Sequence, residues 1–268
     1  MSPSRLSLCV SFFLFAHFAV AQQTSTTSTQ GAAVLRQALA ALAPSTPITD
    51  VTLSGTARRI AGSDDESGAV VIKALAGTGS RLDLTLPSGP RTEIRNTSSA
   101  PIVGSWSGPD GAAHAISNHN LFTDPAWFPA FTIASLLSAQ NAVVTYVGPE
   151  TRNGQPVIHV AASQQFPALS ADPNAATLMQ HLTQTDVYLD PTTNLPTAIA
   201  FTTHADNNAL LDIPVELRFS DYQALNGAQI PFHVQKFLNN SLMLDLQLTS
   251  ATLNSGLSSS IFAVGGAQ

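Results

Sequence analysis

The side chains most able to do chemistry in this chain are its histidines, its carboxylates and one serine-containing glycine motif. The motif, Gly104-Ser105-Trp106-Ser107-Gly108, has the outline of the G-x-S-x-G turn that presents the nucleophile of many serine hydrolases. Its central residue is Trp106, which has no hydroxyl to attack an acyl carbon. Without a serine at its centre, this segment cannot be the nucleophile turn of a serine hydrolase of that type.

The histidines are spaced poorly for a metal site. His114 and His119 are close in sequence, and they reach Asp124 only through a loop. His204 and Asp206 stand at the end of a predicted hairpin, where turn chemistry accounts for them. We therefore expect surface or hydrogen-bonded histidines and predict no catalytic residue, no metal site and no cofactor.

The N-terminus has the features of a secretory signal peptide over residues 1–21. Arg5 is followed by an apolar run, and Ala19-Val20-Ala21 is a small-residue cleavage site. Cleavage near Ala21 predicts a periplasmic or secreted protein; the alternative is an uncleaved membrane anchor. Because Cys9 is the only cysteine, the cleaved chain would carry no thiol, which excludes disulfides and thiolate metal sites.

The charge content narrows the class of protein further. Only 10% of the 268 residues are charged, and Lys and Arg (11) are outnumbered by Asp and Glu (17). A nucleic-acid binder of the usual kind needs an excess of cations to neutralise phosphates, so we expect no nucleic-acid partner. The 44% hydrophobic content also excludes a disordered chain.

The periodicity of the apolar residues changes once along the chain. Residues 22–30 form a Thr/Ser/Gln tract that predicts a flexible spacer, and Leu35, Leu39 and Leu42 then have helical spacing up to Pro44. Beyond residue 48 the period becomes two, as in strands with one apolar face. We expect about ten or eleven antiparallel strands, with a single domain over residues 31–268.

Turns and helix caps support this assignment. Asn153-Gly154 and Asn226-Gly227 each separate two apolar runs, and Asn-Gly is the strongest short hairpin signal. Asp172 followed by Pro173 predicts the start of a short helix that extends to Leu182.

One segment, residues 126–139, contains no charged residue, and its apolar side chains would surround a helix on all sides. It is either a helix that fills the concave side of a curved sheet or a lid over an apolar ligand cavity. The ligand-binding candidates are Trp106, Trp127, Phe128, Phe131, Ile133 and Leu136.

The last third of the chain carries two linked hairpin motifs. Thr185–Pro191 is followed by Leu195-Pro196, and Phe219–Tyr222 is followed by Asn226-Gly227 and Ile230-Pro231-Phe232. This arrangement resembles the LolA-like half-barrel proteins that carry lipoproteins in the periplasm, and it is similar to exported acidobacterial proteins without an assigned function.

The resemblance implies an α+β fold, an antiparallel unclosed β-barrel (half-barrel) with helices covering the concave face, and it implies that this face holds acyl chains. It also implies an arginine inside the cavity that governs closure of the lid. No arginine of this chain aligns with it, and the candidates by location are Arg58, Arg59, Arg81, Arg91 and Arg95.

These observations leave three functions open. The first is an exported non-enzymatic protein that binds a lipid or lipoprotein acyl chain, or another apolar ligand, between the sheet and a helical lid. The second is an envelope protein-interaction or regulatory module with a packed, ligand-free core, whose open strand edges pair with a protein partner. The third is a hydrolase with a non-standard site, which requires a pocket where a histidine and a carboxylate converge.

Overall fold

The period-two segments form a single antiparallel sheet in the computed structural model, which describes residues 17–43, 47–123 and 127–264. Most of the predicted signal peptide, with Arg5 and Cys9, lies outside the described residues, as does Asp124. The helices are α1 (His17–Leu42), α2 (Pro129–Ser138) and α3 (Pro173–Leu182). The strands are β1 (Asp50–Ala61), β2 (Asp64–Leu75), β3 (Gly79–Leu86), β4 (Gly89–Asn96), β5 (Val103–Ser107), β6 (Ala113–Ala115), β7 (Ala142–Arg152), β8 (Gln155–Gln164), β9 (Thr185–Leu189), β10 (Pro196–Ala205), β11 (Asn208–Leu225), β12 (Ala228–Leu238) and β13 (Ser241–Leu253).

The chain enters the sheet in the middle and builds it in two directions. From β1 it runs outward to β6 at one edge, crosses to β7 at the other edge, and returns strand by strand to β13, which pairs with β1. Within the described residues the edge strands β6 and β7 do not pair with each other, so the barrel is not closed. The predicted α+β half-barrel architecture is confirmed.

The predicted hairpins and the predicted cap are also present. Asn153 and Gly154, with φ of 52° and 78°, join β7 to β8, and Asn226 and Gly227, with φ of 51° and 83°, join β11 to β12. Positive φ at both central residues is what a tight hairpin turn requires. Asp172 caps α3 by accepting hydrogen bonds from the backbone N–H groups of Asn174 and Ala175.

Two features differ from the sequence-based expectation. The sheet has 13 strands rather than ten or eleven, because strands as short as β6, with three residues, are too short to show a period. Helix α1 includes residues 22–30, for which the sequence predicts a flexible spacer. That stretch contains no glycine or proline to break the helix before Gly31. Of the helices in the described part of the chain, none has the length and apolarity to cross a membrane.

Helix α1 lies against the concave side of the sheet. Leu35, Ala38 and Leu42 are buried in the main core, and α1 contacts α2 and the strands β7, β8 and β12. The connection from β6 to β7 must cross from one sheet edge to the other, and its apolar residues join the same core. This crossing explains why an uncharged segment stands at that point of the sequence.

At Gly31, helix α1 packs closely against the backbone of β7. A β-carbon at this position would lie 2.8 Å from the backbone nitrogen of Tyr146 and 3.0 Å from the carbonyl carbon of Thr145. We expect Gly31→Leu to lower the free energy of unfolding by about 1–3 kcal/mol, the usual cost of overpacking, in urea denaturation. Ala33→Leu, on an exposed position of the same helix, is the control. Equal stability of the two variants would contradict this packing.

Candidate functional site: the concave face

The six ligand-binding candidates do not form one cluster. Trp127, Phe128 and Ile133 are buried in the core, and Phe131 and Leu136 pack against it from partly buried positions. Trp106, by contrast, is 47% exposed on β5, near the sheet edge. The apolar segment therefore fills part of the core, and some of its aromatic rings also border a cavity.

That cavity, which we call the inner pocket, has a volume of about 190 Å³. It lies under the connection from β6 to β7, which we call the crossing segment. Trp127, Phe128 and Phe131 line one side of it, and Ala74 and Arg95 from the sheet line another. The rings of Phe128 and Phe131 meet edge to face with centroids 4.9 Å apart. Polar side chains, among them Ser80, Thr97 and Gln164, complete the lining, so the inner pocket is of mixed polarity.

A second cavity, which we call the open groove, lies further along the same strands and has a volume of about 310 Å³. Its apolar wall includes Leu82, Leu84 and Leu244. Trp106 lines it as well, and the pairing of Trp106 with Glu93, and of Glu93 with Leu82, places these side chains on one face of the sheet. The open groove thus occupies the concave face.

The two cavities approach each other near Trp127. This ring lines the inner pocket, and the ammonium nitrogen of Lys236, which lines the open groove, lies 5.5 Å from its centre. Along β4 the positions alternate, so that Arg91, Glu93 and Arg95 share the concave face. Arg91 and Glu93 line the groove and Arg95 the pocket. Both cavities therefore lie on the concave face, with the Trp127–Lys236 contact between them, and we call the two together the trough.

The charges in the open groove are predominantly positive. Arg59, Arg91 and Lys236 line it. Arg59 and Arg91 share one carboxylate, with Glu66 Oε1 3.7 Å from Arg59 Nη1 and 3.8 Å from Arg91 Nη2. Burial alone would raise the pKa of the Glu93 carboxyl, but the charges of Arg95 and Lys236 outweigh burial and hold that pKa below its usual value. Three cations thus face two carboxylates.

Arg95 attaches the crossing segment to the sheet. Its Nη1 donates hydrogen bonds to the carbonyl oxygens of Asn120 (2.6 Å) and Thr123 (3.2 Å), and its Nε donates to Glu93 Oε1 (3.0 Å). The side chain is only 12% exposed. Of the five arginines named from the sequence, Arg95 is the one for which bonds to this segment are seen among the described residues.

We expect Arg95→Met to loosen that attachment. Loss of hydrogen bonds from a charged donor costs about 1.5–3 kcal/mol, so the variant should be less stable, and amide hydrogen exchange should accelerate in residues 116–131. Arg58→Met is the control, because the Arg58–Asp65 pair is half exposed on both sides. Unchanged exchange in that segment would show that Arg95 does not hold it.

The groove cations are not evident as a set from the sequence alone. The signal was present, because period-two alternation over Gly89–Asn96 places Arg91, Glu93 and Arg95 on a single face. Arg59 and Lys236 join that set only through the pairing of β1 and β12 with β13.

Comparisons with known proteins bear on the fold. No known family profile matches the sequence, and no curated protein matches it. Among solved structures, an outer membrane lipoprotein-sorting protein domain from Vibrio parahaemolyticus is similar at a TM-score of 0.54 and 14% identity, over 88% of this chain and 97% of that one. A DUF1329 family protein from Desulfovibrio piger matches at 0.54 and 9%, and a LolA superfamily protein from Nitrosomonas europaea at 0.52 and 10%, both with the same coverages, 88% and 97%.

Proposed function

We propose that this chain, which has a LolA-like fold, is an exported, non-enzymatic protein that binds an amphiphile with an acyl chain. The acyl chain of the ligand would lie in the open groove, and the anionic head group of the ligand would contact Arg59, Arg91 and Lys236. The observation that carries the proposal is an apolar trough on the concave face with three cations along it.

The size and lining of the trough suit such a ligand. The open groove, at about 310 Å³, falls within the range of about 300–1,000 Å³ that small-molecule sites occupy. Each methylene transferred from water to an apolar wall contributes about 0.8 kcal/mol, so that about eight methylenes would contribute about 6 kcal/mol. The inner pocket, on the other side of Trp127, offers room for the chain to extend.

The charged groups favour an acid over a neutral lipid. A carboxylate or phosphate accepts charge-assisted hydrogen bonds from guanidinium and ammonium groups, and these are about twice as strong as neutral ones. Arg59 and Arg91 are held near Glu66 at distances beyond a normal hydrogen bond. A bound anion could therefore recruit both side chains without first breaking a strong ion pair.

Export of the protein belongs to the same proposal. Cleavage near Ala21 would remove the first part of α1 and leave Leu35, Ala38 and Leu42 in the core. The periplasm or the extracellular space would then be where the ligand is met. The mass of the protein recovered from its own host tests this step directly.

Titration with cis-parinaric acid, a naturally fluorescent fatty acid, tests the binding function. We expect saturable binding of one molecule per chain, with displacement by palmitate and weaker displacement by the neutral hexadecanol. Absence of saturable binding would overturn the proposal.

Two observations favour a second function, that of an envelope protein-interaction module. Trp127, Phe128 and Ile133 are packed in the core, as expected of a scaffold that needs no ligand. The edge strands β6 and β7 are open to pairing with a strand from a partner. This function predicts a stable partner in cross-linked envelope extracts together with no fatty-acid binding.

A further inference from the structure

The convex face of the sheet carries a cluster of two histidines and a carboxylate that is unrelated to the groove. Phe201 and Val215 point into the core, and alternation places His204 and Asp212 on the opposite face, directly across from each other on β10 and β11. Helix α3 adds His181 from above. The cluster therefore stands independently of the proposed function.

The three side chains converge on one oxygen. His181 Nε2 lies 2.8 Å from Asp212 Oδ1, and His204 Nε2 lies 3.2 Å from the same atom. One ligand atom from each residue falls within 4.8 Å of the others. A single ion touches all three once the side chains move to the ligand–ligand spacing of a tetrahedral site, about 3.3 Å for zinc bound at about 2.0–2.1 Å.

His204 gives the cluster its second, independent feature. Its side chain is 1% exposed, because the rings of His181 and His119 cover it at centroid distances of 5.6 and 6.0 Å. Neither ring nitrogen has a hydrogen-bond partner with acceptable geometry among the described residues. Buried polar groups almost always have a hydrogen-bond partner. The unpaired His204 imidazole, whose Nε2 faces a carboxylate and a second imidazole, therefore points to a ligand.

From this geometry we propose that His181, His204 and Asp212 bind a divalent transition-metal ion of the Zn²⁺ class. Two imidazoles and a carboxylate form a ligand set that suits zinc and leaves a fourth position for water. The half-exposed side chains of His181 and Asp212 keep that position open to solvent. They also border a pocket of about 310 Å³ on the convex face. The sequence analysis predicts no metal site because these residues come from three elements.

The test uses the full chain without a histidine tag, freed of metal with a chelator and titrated with Zn²⁺ by calorimetry. Co²⁺ serves as a second probe because tetrahedral coordination gives it strong visible absorption. We expect one ion per chain and a rise in the melting temperature with Zn²⁺. His181→Gln and Asp212→Asn should abolish stoichiometric binding, and both positions are exposed enough for the variants to fold.

The matched control is His233→Gln. His233 forms a similar contact with Asp245, at 2.7 Å, but it is a single histidine beside a carboxylate. The His233→Gln protein should therefore bind the metal as fully as the unmodified protein. Two results would overturn the proposal. One is the absence of Zn²⁺ and Co²⁺ binding, which would leave Asp212 as a hydrogen-bond acceptor for His181 alone. The other is binding that His181→Gln and Asp212→Asn leave unchanged, which would show adventitious binding elsewhere.

Discussion

Trp127→Ala is expected to lower the free energy of unfolding by about 3–5 kcal/mol, the range for removal of a large buried aromatic side chain. Trp127 is 2% exposed, lines the inner pocket and contacts Lys236 of the open groove. The variant would merge the two cavities as well as destabilise the fold. Urea denaturation measures the loss of stability. Titration with fatty acids of increasing length measures the change in the cavities.

The chain supplies its own control, since Trp106 is its only other tryptophan. Trp106 is half exposed and stacks on His114 with ring centroids 4.3 Å apart. Such a contact contributes about 0.5–1.5 kcal/mol, so Trp106→Ala should cost much less stability. If Trp127→Ala were as mild as Trp106→Ala, the crossing segment would be a detachable lid rather than part of the core.

The second large effect concerns the head group. Arg91→Met and Lys236→Met should each weaken the binding of palmitate by about 10- to 100-fold, the equivalent of losing one hydrogen bond from a charged donor. The affinity for hexadecanol should change little, because both substitutions preserve the apolar stem of the side chain. Competition against cis-parinaric acid measures both ligands.

Lys73→Met is the matched control for this pair of variants, because Lys73 is the only other lysine and alternates with the buried Ile72 on β2, on the convex side. It should leave both affinities unchanged. Equal losses for palmitate and hexadecanol in the groove variants would show that Arg91 and Lys236 shape the cavity rather than recognise an anion.

Local signals predicted the architecture well. Alternation along the strands, the two Asn-Gly turns and the Asp172 cap each act within a few residues, and each is where the sequence places it. The hairpin motifs also led correctly to the half-barrel. The uncharged segment is unusual in the sequence, and the structure explains it as the crossing between sheet edges.

The candidate site was predicted only in part, because it depends on contacts between distant segments. Trp127, Phe128 and Phe131 do border a cavity, but Ile133 is buried in the core, Leu136 packs against it, and Trp106 lines the other half of the trough. The groove cations and the convex-face histidines come together only when remote strands pair. Spacing along the chain carries no signal for such a set.

Photolabelling shows directly where an acyl chain binds on this protein. A palmitate analogue with a diazirine in its acyl chain is irradiated with the protein, and the labelled peptides are mapped by mass spectrometry. We expect labelling within Gly79–Leu86, which contributes Leu82 and Leu84 to the open groove, and around Met243 and Leu244, and we expect unlabelled palmitate to suppress it. Labelling confined to the convex face, or no more labelling than in the unfolded protein, would contradict it.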